Sequence, residues 1–204
     1  MRQSVIRLTL LCLMVTLLAG CVTKQVKPQE QTTKPVPIAT IPIRPEDLPR
    51  MQALEEAMQA GEITLAEQLA GELLRDYPNN PSLHINLGVI DIRAKQYEDA
   101  LEHLDLGCKL NPQDAFCPLF KGQALMGLAR YDEAEKAYQK ALDLDPASLY
   151  AHYGLGVIYD LYIIDYDKAE DHYDAFLSSA GEDVPDAEIK QVTLWKKLLK
   201  RKSS

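Results

Sequence analysis

No His-Glu-x-x-His helix, no Cys-x-x-Cys pair, no Gly-x-Ser-x-Gly turn and no glycine-rich phosphate loop occurs in this 204-residue chain. Their absence removes the common signatures of zinc, thiol-redox, serine-hydrolase and nucleotide chemistry. The four histidines, His84, His103, His152 and His172, fall at repeated places in separate stretches and are not expected to converge on a metal. Glycine is sparse, at 10 residues, and alternation of β-branched with polar residues is nearly missing, which argues against a sheet. An excess of positive charge is missing too: 22 Lys and Arg stand against 30 Asp and Glu, a net charge of −8. That balance lacks the overall basic footprint of a nucleic-acid binder and serves solubility instead. Isolated carboxylates such as Glu55, Asp91 and Asp160 read as solvated or groove-facing. The chain therefore reads as a non-enzyme with no catalytic residue, metal or cofactor.

What is present begins with a targeting segment. Arg2 and Arg7 precede an apolar run of about 11 residues, Leu8 to Leu18, too short to cross a bilayer and of signal-peptide length. Leu18-Ala19-Gly20-Cys21 follows and resembles a bacterial lipobox. The resemblance implies cleavage after residue 20, acylation of Cys21 and attachment to the bilayer through several acyl chains. Val22 rather than Asp after the cysteine implies sorting to the outer membrane, facing the periplasm. Loss of 1–20 removes Arg2 and Arg7 and no acids, leaving 20 basic residues against 30 acidic. Residues 21–46 carry Pro28, Pro35, Pro37, Pro42 and Pro45 among Lys, Gln and Thr, and read as a tether after the lipidated cysteine.

The remainder is organised on residues 115–148. Gly122, Leu125, Tyr131, Ala134, Tyr138, Ala141 and Pro146 alternate small and large residues over two expected helices, about 118–128 and 131–144. This order resembles the tetratricopeptide repeat, whose period is 34 residues. One period earlier stand Leu87-Gly88, Tyr97, Ala100, Leu104, Gly107 and Asn111-Pro112. Residues 47–80 keep Ala66 and Pro78 in register. Residues 149–183 keep Leu155-Gly156, Tyr159, Tyr166, Ala169 and Tyr173, with one residue inserted in the Tyr162–Asp165 turn. Four units, 47–80, 81–114, 115–148 and 149–183, thus occupy 47–184. Within the first unit Thr64 is a candidate N-cap for a helix over 65–75. A last amphipathic helix within 185–204, with Ile189, Val192, Trp195, Leu198 and Leu199 on one stripe and a basic tail, is expected to cap the stack. The fold expected is an all-α, right-handed superhelical solenoid of about four helix pairs plus that capping helix.

Cys108 and Cys117 flank the 111–114 turn symmetrically. In an oxidising compartment a disulfide between them is expected, the alternative being two buried thiols. The resemblance implies that the first helix of each pair lines a concave face. The residues expected there are Ile85, Asn86, Val89 and Ile92; Leu119, Phe120, Gln123 and Met126; and Tyr150, Tyr153, Val157 and Asp160. Asn86 matches one place of the carboxylate clamp found in chaperone adaptors, but Met51 and Phe120 stand where basic or amide residues are needed. An apolar peptide or helix from an envelope protein suits the groove better. The function expected is that of a membrane-anchored scaffold for an envelope machine. The last repeat and its Trp-containing basic helix are similar to lipoproteins that accompany TonB-type energy transduction. The alternatives are a pilotin-like factor for type IV pilus or secretin assembly, and a recruiter or regulator of peptidoglycan-remodelling enzymes.

Overall fold

The computed structural model describes residues 42–182 and 184–202. The expected signal segment 1–20, Cys21 and the proline-rich stretch 22–41 lie outside these residues. Nine α-helices and no strand occur among the described residues. They are α1 (Leu48–Ala60), α2 (Ile63–Asp76), α3 (Pro81–Ala94), α4 (Tyr97–Leu110), α5 (Phe116–Gly127), α6 (Tyr131–Leu144), α7 (Leu149–Ile158), α8 (Tyr166–Ser179) and α9 (Asp186–Lys202). A 3₁₀ turn, Pro45–Asp47, precedes α1, and a π-helical turn, Tyr159–Ile163, extends α7. Each helix packs on the next, and α3, α5 and α7 also touch one another in order, so the first helices of successive pairs share one face of a solenoid. No described helix is long and apolar enough to cross a membrane.

Local chemistry sets the helix ends. Asn80 caps α3 by accepting from the Leu83 N–H at 3.1 Å, with Pro81 at the first position, where a missing N–H costs nothing. Asp165 caps α8 through the Lys168 N–H. Thr64 is not a cap: α2 starts at Ile63, after Glu62. Helix α5 starts at Phe116, two residues before Pro118, because the first turn needs no N–H at Pro118.

The turn inside each pair is closed by one left-handed residue: Gly61 (φ 73°), Lys95 (φ 63°), Ala129 (φ 56°) and Ile164 (φ 62°). Glycine adopts this conformation freely, whereas a β-branched side chain there crowds the following carbonyl. Ile164 is also 55% exposed, so its side chain gains little from burial. Replacing Ile164 with glycine is expected to stabilise the protein by about 1 kcal/mol, seen as a higher urea midpoint with unchanged slope.

Packing divides into three clusters. Leu54, Leu73, Tyr77, Leu83 and Ile90 centre the first, in α1–α3. Tyr138, Leu155, Ile158, Tyr173, Phe176, Val192 and Leu199 centre the largest, from α5 to α9. A small cluster of Ile85, Ala100, Leu104, Cys117 and Ala124 lies between them. There Cys108 and Cys117 are joined as a disulfide, with Cα atoms 5.5 Å apart, tying the end of α4 to the start of α5.

At the other end, the buried Asp47 carboxylate accepts from the Tyr77 hydroxyl at 2.6 Å, Arg44 Nε at 2.7 Å and Arg50 Nη1 at 2.8 Å. The hydrogen bond from Tyr77, then that from Arg50, holds this carboxyl well below the usual carboxylate range. The network fixes the chain entering α1 to the end of α2.

Candidate functional site

The face shared by the first helices is set by period. Residues 48, 82, 116 and 150 form one row along it, followed by 51, 85, 119 and 153, and then 55, 89, 123 and 157. Two hollows open on this face. The N-terminal one, about 770 Å³, is lined by Leu48, Met51, Gln52, Glu55, Met58, Gln59, Asn86 and Arg93. Arg93 is held across it by a hydrogen bond to the Met58 carbonyl. The C-terminal one, about 280 Å³, is lined by Gln123, Met126, Tyr138, Tyr150, Tyr153, Gly154, Val157 and Trp195.

Of the residues expected in the groove, Asn86 thus sits in the first hollow, and Gln123, Met126, Tyr150, Tyr153 and Val157 sit together in the second. Val89, Ile92 and Phe120 are half-buried outside both hollows; Phe120 stacks near Phe116 with ring centres 6.4 Å apart. Ile85 and Leu119 must be corrected, because both are buried in the helix packing and neither is open to a partner. Ile85 fills the space over Gly107, where an added Cβ would stand 2.8 Å from Ile85 Cγ1. Leu119 joins the large cluster. Asp160 is also buried.

Two features were not foreseen from sequence. Trp195, expected only to pack the cap, forms a wall of the C-terminal hollow, with its ring centre 6.0 Å from both Tyr153 and Tyr173. Phe116, 64% exposed, stands in the same row as Tyr150. The 34-residue step back from Tyr150 was the available signal.

Histidines at equivalent places of different repeats stay apart, but a first-helix and a second-helix histidine meet within each of two hairpins. His152 Nδ1 lies 2.9 Å from His172 Nδ1, and His152 Nε2 lies 3.1 Å from the Pro146 carbonyl. A carbonyl only accepts, so Nε2 carries the proton, Nδ1 of His152 accepts, and His172 donates. Burial, then the neighbouring His152, lowers the pKa of His172. His84 repeats the pattern, with Nε2 donating to the Pro78 carbonyl at 2.9 Å and its ring 6.0 Å from that of His103. The His152–His172 hydrogen bond ties α7 to α8, whereas His84 and His103 meet only as neighbouring rings between α3 and α4. No group of three or more His, Cys, Asp or Glu among the described residues is placed to hold a metal.

Asp91, buried beside His103 at 3.9 Å, is pushed up to about 6 by burial and by the charges of Asp99 and Glu67. A carboxyl whose folded pKa is raised binds a proton in the fold that it has lost in the unfolded chain. Stability therefore falls as pH rises from about 4 through about 6. Asp91→Asn removes that cost. It is expected to gain roughly 1–2 kcal/mol at pH 8, shrinking toward zero near pH 4, in urea titrations at the two values.

The fold, the period and the shared face agree with two family models. One, described as tetratricopeptide repeat, matches residues 57–115, and the other, described as TPR repeat, matches 122–160. The chain carries tetratricopeptide repeats. Among curated proteins, the small glutamine-rich tetratricopeptide repeat-containing protein 2 of Mycosarcoma maydis is 28% identical over 107 residues, covering 50% of this chain and 30% of its own length. The chain spans 30% or less of the curated relatives it matches here. Among solved structures, a crystal structure of MamA protein aligns with a TM-score of 0.56 at 25% identity, covering 65% of this chain and 72% of that one. The first TPR of Spaghetti (RPAP3), bound to the HSP90 peptide SRMEEVD, aligns with a TM-score of 0.53 at 24% identity, covering 55% and 90%. That last likeness is one of fold. Within this tetratricopeptide stack, the C-terminal hollow is the place where aromatic and apolar side chains from α5, α7 and α9 converge.

Proposed function

We propose that this tetratricopeptide protein is an envelope scaffold that holds an apolar segment of a partner protein in the C-terminal hollow while Cys21 anchors it by lipid to the periplasmic face of the outer membrane. The carrying observation is the convergence of Tyr150, Tyr153, Trp195, Met126 and Val157 around one open hollow with few charges. Such a surface gains free energy by covering apolar area, and aromatic residues dominate the centres of protein interfaces. The structural neighbour solved with a peptide bound supports a segment rather than a globular surface as the occupant. The lipobox-like Leu18-Ala19-Gly20-Cys21 supports the anchor. The resemblance of the last repeat and Trp195 helix to lipoproteins of TonB-type systems supports energy transduction as the machine served.

A photo-crosslinking residue at Gln123 tests the groove. The expected product is a defined partner segment, lost on Tyr150→Ala with Tyr153→Ala while the variant keeps its helical spectrum. Undiminished crosslinking by that variant would remove the hollow from the reading. A secretin, a pilin or a peptidoglycan hydrolase as the crosslinked partner would replace TonB-type transduction with the corresponding machine. Labelling with a radioactive fatty acid that fails to reach Cys21 would remove the anchor.

A further inference from the structure

Helix α9 closes the stack, and its packed side is accounted for. Val192 and Leu199 are buried against the large cluster, and Lys196 is held by Asp174 and by Glu170. The opposite side is unusual for a cap, because Leu194 is 54% and Leu198 38% exposed. The helical period sets Leu198 and Leu194 next to Trp195, and then Arg201, Lys190 and Lys197 beyond them. An apolar track thus leaves the aromatic hollow at Trp195, crosses Leu198 and Leu194, and ends on a basic row. Lys197 and Arg201 are exposed and carry no ion pair among the described residues, while Lys190 has only an exposed contact with Asp186 at 3.9 Å. The repeats over 47–184 carry 10 Lys and Arg against 26 Asp and Glu, so an uncompensated basic row beside an apolar track is locally distinct.

Resting on the groove reading above, we infer that the partner segment is acidic: an aromatic or aliphatic anchor seats in the hollow at Trp195, and flanking Asp or Glu residues meet Lys197, Arg201 and Lys190. Charge complementarity favours this occupant over a basic or neutral one, and it selects the direction in which the segment leaves the hollow. A bilayer surface suits the site less well. Trp195 is only partly exposed and recessed between Tyr153 and Tyr173, on a hollow that a flat lipid surface does not enter.

Selection of a random displayed peptide library on the full chain tests this. The expected winners carry an aromatic or Leu anchor with acidic neighbours. Their affinity, read by fluorescence anisotropy, falls about tenfold between about 0.1 M and about 1 M salt. It falls similarly on changing the peptide acids to amides, or on Lys197→Glu with Arg201→Glu. Should the charge-reversed protein not fold, Lys197→Gln with Arg201→Gln and the amide peptides give the same comparison. Winners without acidic enrichment, or acidic winners bound equally by the charge variants, overturn the inference and leave the groove reading standing. Winners indifferent to Tyr153→Ala, or no winners at all, overturn both. Cosedimentation with phosphatidylglycerol vesicles that depends on Lys197 and Arg201, without acidic peptides among the winners, reassigns the basic row to the membrane and also overturns it.

Discussion

Replacing Tyr138 with alanine is expected to lower folding stability by about 3–5 kcal/mol, the largest effect of any single truncation proposed for this chain. Tyr138 is 3% exposed in the middle of the large cluster. Its ring stands between two helices that approach closely enough to admit it only where side chains are missing. An added Cβ at Gly122 of α5 would stand 2.5 Å from Tyr138 Cε1, and one at Gly154 of α7 would stand 2.5 Å from Cε2. The ring is therefore the spacer between the third and fourth repeats, and its loss leaves a slot that two backbones must close. Cavity and transfer contributions act together, and the slot is walled by helices with limited freedom to collapse. Overpacking from the other side has the same sign. Gly122→Val drives a branched side chain against the ring and outweighs the roughly 1 kcal/mol gained by removing a mid-helix glycine. In a stack of repeats each unit contacts only its neighbours, so the loss falls on α5–α9 first. The expected signature is a two-step urea transition in Tyr138→Ala, with amide protection lost in α6–α8 before α1–α3. A single transition with uniform loss of protection would show that the clusters melt as one. Tyr138 also walls the C-terminal hollow, so the variant is expected to lose crosslinking at Gln123 as well.

The same residues show what was readable in the sequence. Helix α6 spans Tyr131–Leu144, the range its periodicity predicts, and α4 and α8 start at Tyr97 and Tyr166, the tyrosines read in register with Tyr131. Their apolar stripes are consistent, and Pro112 and Pro146 close the turns after α4 and α6, whereas Gly181 stands near that place after α8. The left-handed turn series was hidden because only Gly61 announces such a position by its type, while Lys95, Ala129 and Ile164 occupy it under the constraint of the repeat. The groove was readable as a set of rows but not as a set of exposures. Position 51, 85, 119 and 153 is one row, yet Ile85 sinks over Gly107 and Leu119 into the main cluster, whereas Tyr153 faces the hollow. Whether a residue of that row is core or surface depends on the size of its neighbours on another helix, which period alone does not encode. The histidine pairs were missed for the same reason: 19 or 20 residues separate the partners, and only the hairpin brings them together.

Reduction of the Cys108–Cys117 bridge is expected to have the second-largest effect, about 2–3 kcal/mol. The bridge closes a loop of sequence separation 9, so the chain-entropy contribution is modest for a disulfide. Its position magnifies the consequence. The first and the largest clusters share no central residue and meet through the small cluster of Ile85, Ala100, Leu104, Cys117 and Ala124. Three of those five are small side chains, which limits the apolar area holding the second repeat to the third. The disulfide crosses that seam from the end of α4 to the start of α5. Cys117 is fully buried, so a Cys117→Ser change places a hydroxyl in an apolar seam with only the Leu104 carbonyl, 3.1 Å from Sγ, to accept from it, and desolvation of that hydroxyl adds to the loss of the crosslink. Cys108→Ala with Cys117→Ala keeps the seam apolar and isolates the loss of the crosslink. In urea titrations with and without a phosphine reductant, the expected result is a lower midpoint for the reduced protein and separation of one transition into two. The double alanine variant is expected to match the reduced protein and to be indifferent to reductant. Coincident curves with and without reductant in the unsubstituted protein would mean that the seam is held by its side chains alone. Because the hollow lies wholly within α5–α9, reduction is expected to leave partner crosslinking at Gln123 intact at low urea while the first two repeats loosen. That separation would place stability control at the seam and recognition at the C-terminal end of one continuous stack.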